Sequence, residues 1–467
     1  MTKRIFTFLL ILLSTVVSAQ KKPNVIFILV DDMGYGDLGV YGQKLIETPN
    51  LDKLAASGIK FNQFYAGTSV CAPSRASLLT GLHTGHSPIR GNYEIEPEGQ
   101  LPIPDSVEVL SEMFKKANYK TATFGKWGLG FPGSEGDPNK QGMDVFYGYN
   151  CQRQSHNYYP SHLWDNNTKV ALQNTIINQI QYAPDLIQAK ALDFIGKNKS
   201  NPFFIYLTYT LPHAALQIPA SDEKFEYYKN KFKEEKKVFK NQWDGVGYQP
   251  QSFPRAAYAT MVSKLDNYVG EVLAKINELG LRDNTIIVFT SDNGPHTEGG
   301  NDPAFFNSSG GFKGLKRQLT EGGIRVPLIV SWPSKIKKAQ TSDYVGAFWD
   351  FFPTFTEITG QKFTQHKDGI SILPVLLGKQ KIKQHDFLYW EFHENGGRQA
   401  VRIGNWKGIR ERVKTNPNGP IELYDLNTDL KESINVADKY PEIVNKIYKV
   451  MEQEHIEHPK FPLIKKN

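Results

Sequence analysis

The sequence predicts an α/β protein: a large, mostly parallel sheet sandwiched by helices, followed by a smaller C-terminal antiparallel sheet with one helix. Three observations predict it. Continuous apolar runs without polar alternation recur along the first two-thirds of the chain, as strands buried on both faces require. Helical periodicity falls between those runs, the alternation expected of a parallel sheet with helices on both faces. After about Gly369 the pattern changes to short segments in close succession.

The elements follow in order. Pro23 to Val30 is a buried strand that ends abruptly at Asp31-Asp32-Met33-Gly34. Thr48 to Gly58 is a helix, with Thr48 placed to cap it, Pro49 in the first turn and Gly58 at its end. Lys120 to Phe124 is a short strand leading into Gly125-Lys126-Trp127-Gly128. Pro202 to Tyr209 is another buried strand, followed by Pro212-His213. Arg255 to Leu279 carries helical periodicity and closes at Gly280. Asn284 to Thr290 and Val326 to Trp332 complete the expected parallel set, the first ending at Ser291-Asp292-Asn293-Gly294. In the last part, Phe387–Phe392, Gln399–Ile403, Trp406–Arg410 and Glu422–Asp425 are the antiparallel strands, and Tyr440 to His455 is the helix packed on them.

The length of 467 residues supports more than one core. The expected division is a signal peptide over 1–19, a catalytic domain over 20–368 and a C-terminal subdomain over 369–467. Lys3 and Arg4, the apolar run Ile5 to Val17 and the small residues before Gln20 have the three-part pattern of a secretory signal. They direct the chain to a secreted or periplasmic location, with no membrane attachment after cleavage; a single N-terminal anchor helix is the competing reading. The formal charge of +7 falls to +5 without Lys3 and Arg4. That charge is spread along the chain, which argues against nucleic acid as a partner. Two cysteines, Cys71 and Cys151, are too few for a disulfide scaffold, although one bridge between them is open.

The polar clusters all fall just after strands. In open α/β sheets, ligands bind beyond the carboxyl ends of the strands, so Asp31/Asp32, Lys126, His213 and Asp292/Asn293 are expected to meet at one edge. Cys71-Ala72-Pro73-Ser74-Arg75 opens a helix at Pro73. The free N–H groups and positive dipole end of that helix favour an anion beside Cys71, and Arg75 offers a bidentate guanidinium. A nucleophile beside an anion cradle suits transfer of a sulfuryl or phosphoryl group. The two acidic pairs, Asp31-Asp32 and Asp292-Asn293, offer four oxygen-bearing side chains, a hard-cation set that fits calcium better than zinc.

Cys-x-Pro-Ser-Arg followed by Leu78-Leu79-Thr80-Gly81 resembles the signature of the type I, formylglycine-dependent sulfatases of the alkaline phosphatase superfamily. The likeness runs over nearly the whole chain from Asn24, and the chain resembles secreted bacterial glycan sulfatases. It implies an alkaline-phosphatase-like fold and conversion of Cys71 to an aldehyde (3-oxoalanine, or formylglycine) by a formylglycine-generating maturation enzyme. It also implies hydration of that aldehyde to a gem-diol, whose hydroxyl attacks sulfur. Ca2+ would be held by Asp31, Asp32, Asp292, Asn293 and the residue made from Cys71. Lys126 would contact sulfate and the hydroxyl, His213 would face the leaving oxygen, and Lys316 would bind the bridging oxygen; Lys313 competes for that last role. Glu321 and Arg325, in the same Gly314–Pro327 stretch, are read as structural partners of each other.

Two departures stand out. Gly128 occupies the place of a motif histidine, so the base for the second half of the cycle is open between Lys126, with its pKa depressed, and a histidine such as His156. Leu82 replaces a common arginine. His296, His156, Arg153 and Arg398 are the candidate substrate contacts, with His393 a further possibility in the C-terminal part. The polar and aromatic stretch from Cys151 to Trp164 suits a sulfated sugar, with galactose or N-acetylgalactosamine sulfate suggested by the resemblance. Three other functions stay open: a phosphonate monoesterase or phosphodiesterase of the same superfamily, a cysteine hydrolase using Cys71 and His213, and an inactive sulfated-glycan-binding protein.

Overall fold

The structure is a computed structural model that describes residues 22–464; the expected signal peptide, 1–19, lies outside those residues. Ten strands form the main sheet: β1 Asn24–Val30, β2 Ile59–Phe61, β3 Lys120–Lys126, β4 Val145–Tyr149, β5 His162–Asp165, β6 Thr168–Ala171, β7 Phe203–Thr208, β8 Thr285–Ser291, β9 Leu328–Ser331 and β10 Gln340–Ser342. Their order across the sheet is β10-β2-β9-β8-β1-β7-β3-β4-β5-β6. The central run β8-β1-β7-β3-β4 is parallel throughout.

The central strand β1 shows why both faces need cover. All seven of its residues are buried. Ile26, Ile28 and Val30 join the core under the helices α1 (Pro49–Ala56), α4 (Ala183–Lys197) and α5 (Pro254–Glu278). Val25, Phe27 and Leu29 point the other way, into the core beneath α2 (Cys71–Thr80), α3 (Leu110–Lys116) and α6 (Phe351–Thr359). The alternation is the two-residue period of a strand. Phe27 meets Phe351 edge-on at 4.8 Å between ring centroids. Each such side chain stabilises the fold by roughly 1.5–3 kcal/mol when fully buried, so six of them on one strand anchor both layers.

One strand departs from expectation. The segment at Val326–Trp332 was expected to run parallel with the others, but β9 is antiparallel to both β8 and β2. The chain leaves β8 at its carboxyl end, forms the loops that carry the polar residues, and re-enters at that same end. An antiparallel neighbour needs no crossover helix to do so.

The C-terminal strands β11 (Leu388–Phe392), β12 (Arg398–Ile403), β13 (Trp406–Glu411) and β14 (Ile421–Asp425) pair antiparallel in sequence order. The helix α7 (Pro441–Glu454) buries Ile447 and Met451 against Tyr389, Val401 and Leu423 on one face. The other face presents Trp390, Ala400 and Ile409 to Tyr65 and Trp349 of the larger layer.

Candidate active site

The carboxyl ends of the parallel strands set the site. Asp31 and Asp32 follow β1, Lys126 ends β3, His213 follows β7 and Asp292 follows β8. Backbone bonds hold these ends together: Asp31 N–H donates to Leu211 O at 3.2 Å, and Asp292 N–H to Val30 O at 3.0 Å. Asp32 sits at φ 61°, a left-handed conformation that aspartate tolerates better than most residues.

Helix α2 begins at Cys71, and Arg75 lies one turn later on the same face. Its N-terminus offers less to an anion than expected: Ala72 N–H is taken by Asn92 Oδ1 at 3.1 Å, and Pro73 has no N–H. Positive charge comes from side chains instead. Arg75 holds Asp292 Oδ2 through Nε at 3.0 Å and Nη2 at 2.8 Å. Lys126 Nζ donates to Asp31 Oδ2 at 2.6 Å, and Lys316 Nζ to Asp32 Oδ2 at 2.7 Å. Cys71 Sγ lies 3.2 Å from Asp31 Oδ1. All of these residues are buried.

Three carboxylates thus balance three cations around one thiol. Unpaired ions would be prohibitive at this depth, so the pairing is a condition of folding. Burial raises Asp31, but Lys126, His213, Arg75 and Lys316 hold its carboxyl well below the usual range. Burial and the Asp31 charge push Asp292 up to about 7, against the pull of Arg75. Burial and Asp31 also push the Cys71 thiol well up. A thiol held protonated is a poor nucleophile, which counts against the cysteine-hydrolase reading.

Two further groups are shifted by their neighbours. Burial lowers Lys126, but Asp31 outweighs it and raises the amine. Burial and the nearby Lys316 charge drive His213 well below its ordinary value. Lys316 Nζ lies 3.0 Å from His213 Nε2 and donates to it, while His213 Nδ1 faces Ala214 O. Burial lowers Lys316, but Asp32 outweighs it and raises the amine well above its ordinary value.

Ligand atoms of Asp31, Asp32, Cys71 and His213 lie within 4.8 Å of one another. Asn293 donates Nδ2 to Asp32 Oδ1 at 2.6 Å, while its own buried Oδ1 has no hydrogen-bond partner. A buried carbonyl oxygen without a donor, beside three carboxylates, fits a hard cation.

The remaining candidates fall into three places. His156 stacks on His213 at 4.5 Å between centroids, with Tyr248 5.2 Å from His156. His156 and Tyr248 line a cleft of about 620 Å³ that Arg153, His162 and Trp243 also line. Arg153 itself is half exposed and paired with Glu96 at 3.0 Å, so it stands at the rim. Burial and His213 drive His156 well below its usual value. His296 faces Glu298 at 3.3 Å and stacks 5.4 Å from His213. It shares a second cleft of about 320 Å³ with Lys316, Arg317 and Arg398. His393 is turned away, onto Glu391 at 2.7 Å. Lys313 donates to Glu432 O at 2.8 Å and is not at the centre. Glu321 accepts from Arg325 at 3.1 Å. Cys71 and Cys151 are both free.

Sequence reasoning missed Ser74, which donates to Asp292 O at 2.5 Å and accepts from Gly67 N at 3.0 Å. Its place inside the Cys-x-Pro-Ser-Arg run was a signal available. It also missed Glu298, which pairs with His296 and Arg317; an isolated glutamate in a loop gives no such signal.

Comparison with known proteins agrees with this geometry. The profile of the sulfatase family matches residues 23–361, and that of the N-sulphoglucosamine sulphohydrolase C-terminal region matches 311–457. The chain is 32% identical over 417 residues to N-acetylgalactosamine-6-sulfatase of Rattus norvegicus, covering 83% of this chain and 71% of that protein. It is 29% identical to arylsulfatase A of Bos taurus, covering 93% and 87%. The crystal structure of Ps i-CgsB in complex with k-i-k-neocarrahexaose superposes with a TM-score of 0.78 at 28% identity, covering 93% and 94%.

Proposed function

The chain belongs to the sulfatase family, and from that premise we propose that it removes sulfate from a sulfated sugar, using an aldehyde made from Cys71 and a calcium ion. The observation that carries this reading is the buried ring of Asp31, Asp32, Asp292, Arg75, Lys126 and Lys316 around Cys71, with Asn293 Oδ1 left unmatched.

In this reading Asp31, Asp32, Asp292 and Asn293 hold the calcium, which supplies charge that offsets the sulfuryl oxygens. The hydrated aldehyde at residue 71 supplies a hydroxyl nucleophile in place of the thiol. The chain's own residues do the rest. Arg75 and Lys126 fix the anionic group against the nucleophile, at no cost in reorganisation because Asp292 and Asp31 already hold them. Lys316 donates to the bridging oxygen as the S–O bond to the sugar breaks, and the alcohol leaves with that proton. His213, accepting from Lys316, keeps the amine aimed. Asp32 keeps it charged until the reaction.

The sugar end follows from the larger cleft. His156, Tyr248 and Trp243 offer ring faces next to amides, the surface a pyranose ring uses. Galactose or N-acetylgalactosamine sulfate is the proposed class, supported by the names of the relatives above. Export through the N-terminal signal and maturation by a formylglycine-generating enzyme belong to the same proposal.

The test is to produce the chain with such a maturation enzyme and determine the mass of the Cys71 peptide. Sulfate release is then measured from a panel of sulfated galactose and N-acetylgalactosamine sugars, with aryl phosphate and phosphonate esters beside them. The aldehyde and sulfate release are expected together. Full activity with an intact thiol, or a preference for the phosphorus esters, overturns the proposal.

A further inference from the structure

Gly128 lacks the side chain that the motif around Lys126 normally carries, and the structure shows what fills that space. Gly128 sits at φ +71°, and a Cβ built on it would lie 2.2 Å from Gln152 Nε2. The Gln152 carboxamide therefore occupies the volume into which a residue-128 side chain would project. It arrives there because the chain after β4 continues the pairing with β3: Trp127 N–H donates to Tyr149 O and Gly128 N–H to Asn150 O, each at 2.9 Å. Residues 150–152 thus run along the same edge that carries Lys126. Gln152 is held at its own N–H by Gln100 Oε1 at 3.2 Å.

The side chain itself is unmatched. Gln152 is 4% exposed and Asn150 fully buried, and neither atom of either carboxamide has a hydrogen-bond partner. Most buried polar groups are paired; an orphaned carboxamide is unfavourable, and more so beside a second one. Such groups persist where a ligand completes them. Here the neighbouring lysine is bound to Asp31, which in turn contacts Cys71.

We propose that Gln152 replaces the motif histidine, its carboxamide hydrogen-bonding the hydroxyl of the converted residue 71 and an oxygen of the sulfuryl group. This rests on the sulfatase reading above. A carboxamide donates and accepts at once, so it orients both partners, but it takes up no proton near neutral pH. Gln152 is accordingly a positioning contact, and the chain holds the nucleophile there without adding an imidazole.

The experiment uses the matured full chain, with conversion at residue 71 measured by mass spectrometry in every variant. Gln152→Met keeps the volume and removes the hydrogen bonds. It is expected to lower kcat about 10- to 100-fold, the loss of a hydrogen bond to a charged group, with KM within about threefold and the melting temperature unchanged. Gly128→His alone is expected to lower kcat, because at φ +71° the added side chain is strained and displaces the Gln152 carboxamide. Gly128→His with Gln152→Ala is expected to recover at least about fivefold over Gln152→Ala, a rescue that a purely structural glutamine would not give. A kcat for Gln152→Met within twofold of the parent overturns the proposal, as does a double variant no more active than Gln152→Ala. If Gln152→Met does not fold, the double variant decides. A parent enzyme that carries the aldehyde and releases no sulfate would instead sink the sulfatase reading itself.

Discussion

Around Cys71, three buried carboxylates face Arg75, Lys126 and Lys316. At the junction between the two sheets, Glu321 and Glu432 are buried with Lys407, Arg325 and Arg402. Lys407 bridges Glu321 at 2.9 Å and Glu432 at 3.0 Å, Tyr65 donates to Glu321 at 2.7 Å, and Glu432 accepts Glu321's own N–H at 2.7 Å. By composition the two clusters are alike. They differ in what they border. The junction ties β13 to the loop before β9 and gives neither cleft a lining residue. The cluster around Cys71 gives Lys316 to the smaller cleft and leaves Asn293 Oδ1 unmatched, as are the amides of Asn150 and Gln152 on the strand edge beyond Lys126. Atoms without a hydrogen bond occur in both clusters, Glu432 Oε1 at the junction among them, so what separates the two is access to a cleft, which Lys316 has and the junction residues lack.

The contrast breaks most sharply at the nucleophile. Cys71→Ala is expected to lower sulfate release by at least ~10⁴-fold while leaving the melting temperature within a few degrees; a large loss of stability would show that Cys71 belongs with the junction. At the junction the effects should invert. Lys407→Met leaves two carboxylates facing each other in the interior, and is expected to cost about 3–5 kcal/mol. Denaturant unfolding measures this, and activity per folded molecule should stay near that of the parent.

Calcium sharpens the comparison further. At 100 times its dissociation constant, a ligand bound only by the native state stabilises it by about 2.7 kcal/mol. Chelation should remove that amount together with activity, and added calcium should restore both. The Lys407→Met protein should respond as the parent does, because its damage lies elsewhere.

Acid gives the smallest effect. Burial raises Glu321, but Lys407, Arg325 and Arg402 hold it down at about 2, below its ordinary 4.5. A depressed folded-state pKa contributes stability that is complete above about pH 4.5 and lost as pH falls toward 2. Unfolding free energy followed from pH 5 to 2 should decline over that window, and Glu321→Gln should flatten the decline.

Much of the fold and the chemistry was legible in the chain. The apolar runs located the central strands, because a strand covered on both faces has no room for polar alternation. The direction of β9 was not legible, since an apolar run reads the same whichever way it enters a sheet. Asp31, Asp32, Lys126, His213 and Asp292 stood out because each follows or ends a strand whose carboxyl edge they share. Glu298 and Gln152 carried no such mark. The neighbours of both are supplied only by the folded chain, and the place of Gln152 is visible only through the space at Gly128.

The sequence by itself determined the elements, their alternation and the run of residues around Cys71, because propensity, periodicity and local motif spacing act within a few residues. Only the tertiary structure decided which charges meet. Lys126 meets Asp31 across 95 residues, and Lys316 meets Asp32 across 284. At such separations the distance, and with it the electrostatic energy, is set by packing and not by sequence. That is why Asp31 raises Lys126 against the effect of burial, and why burial and Lys316 together lower His213.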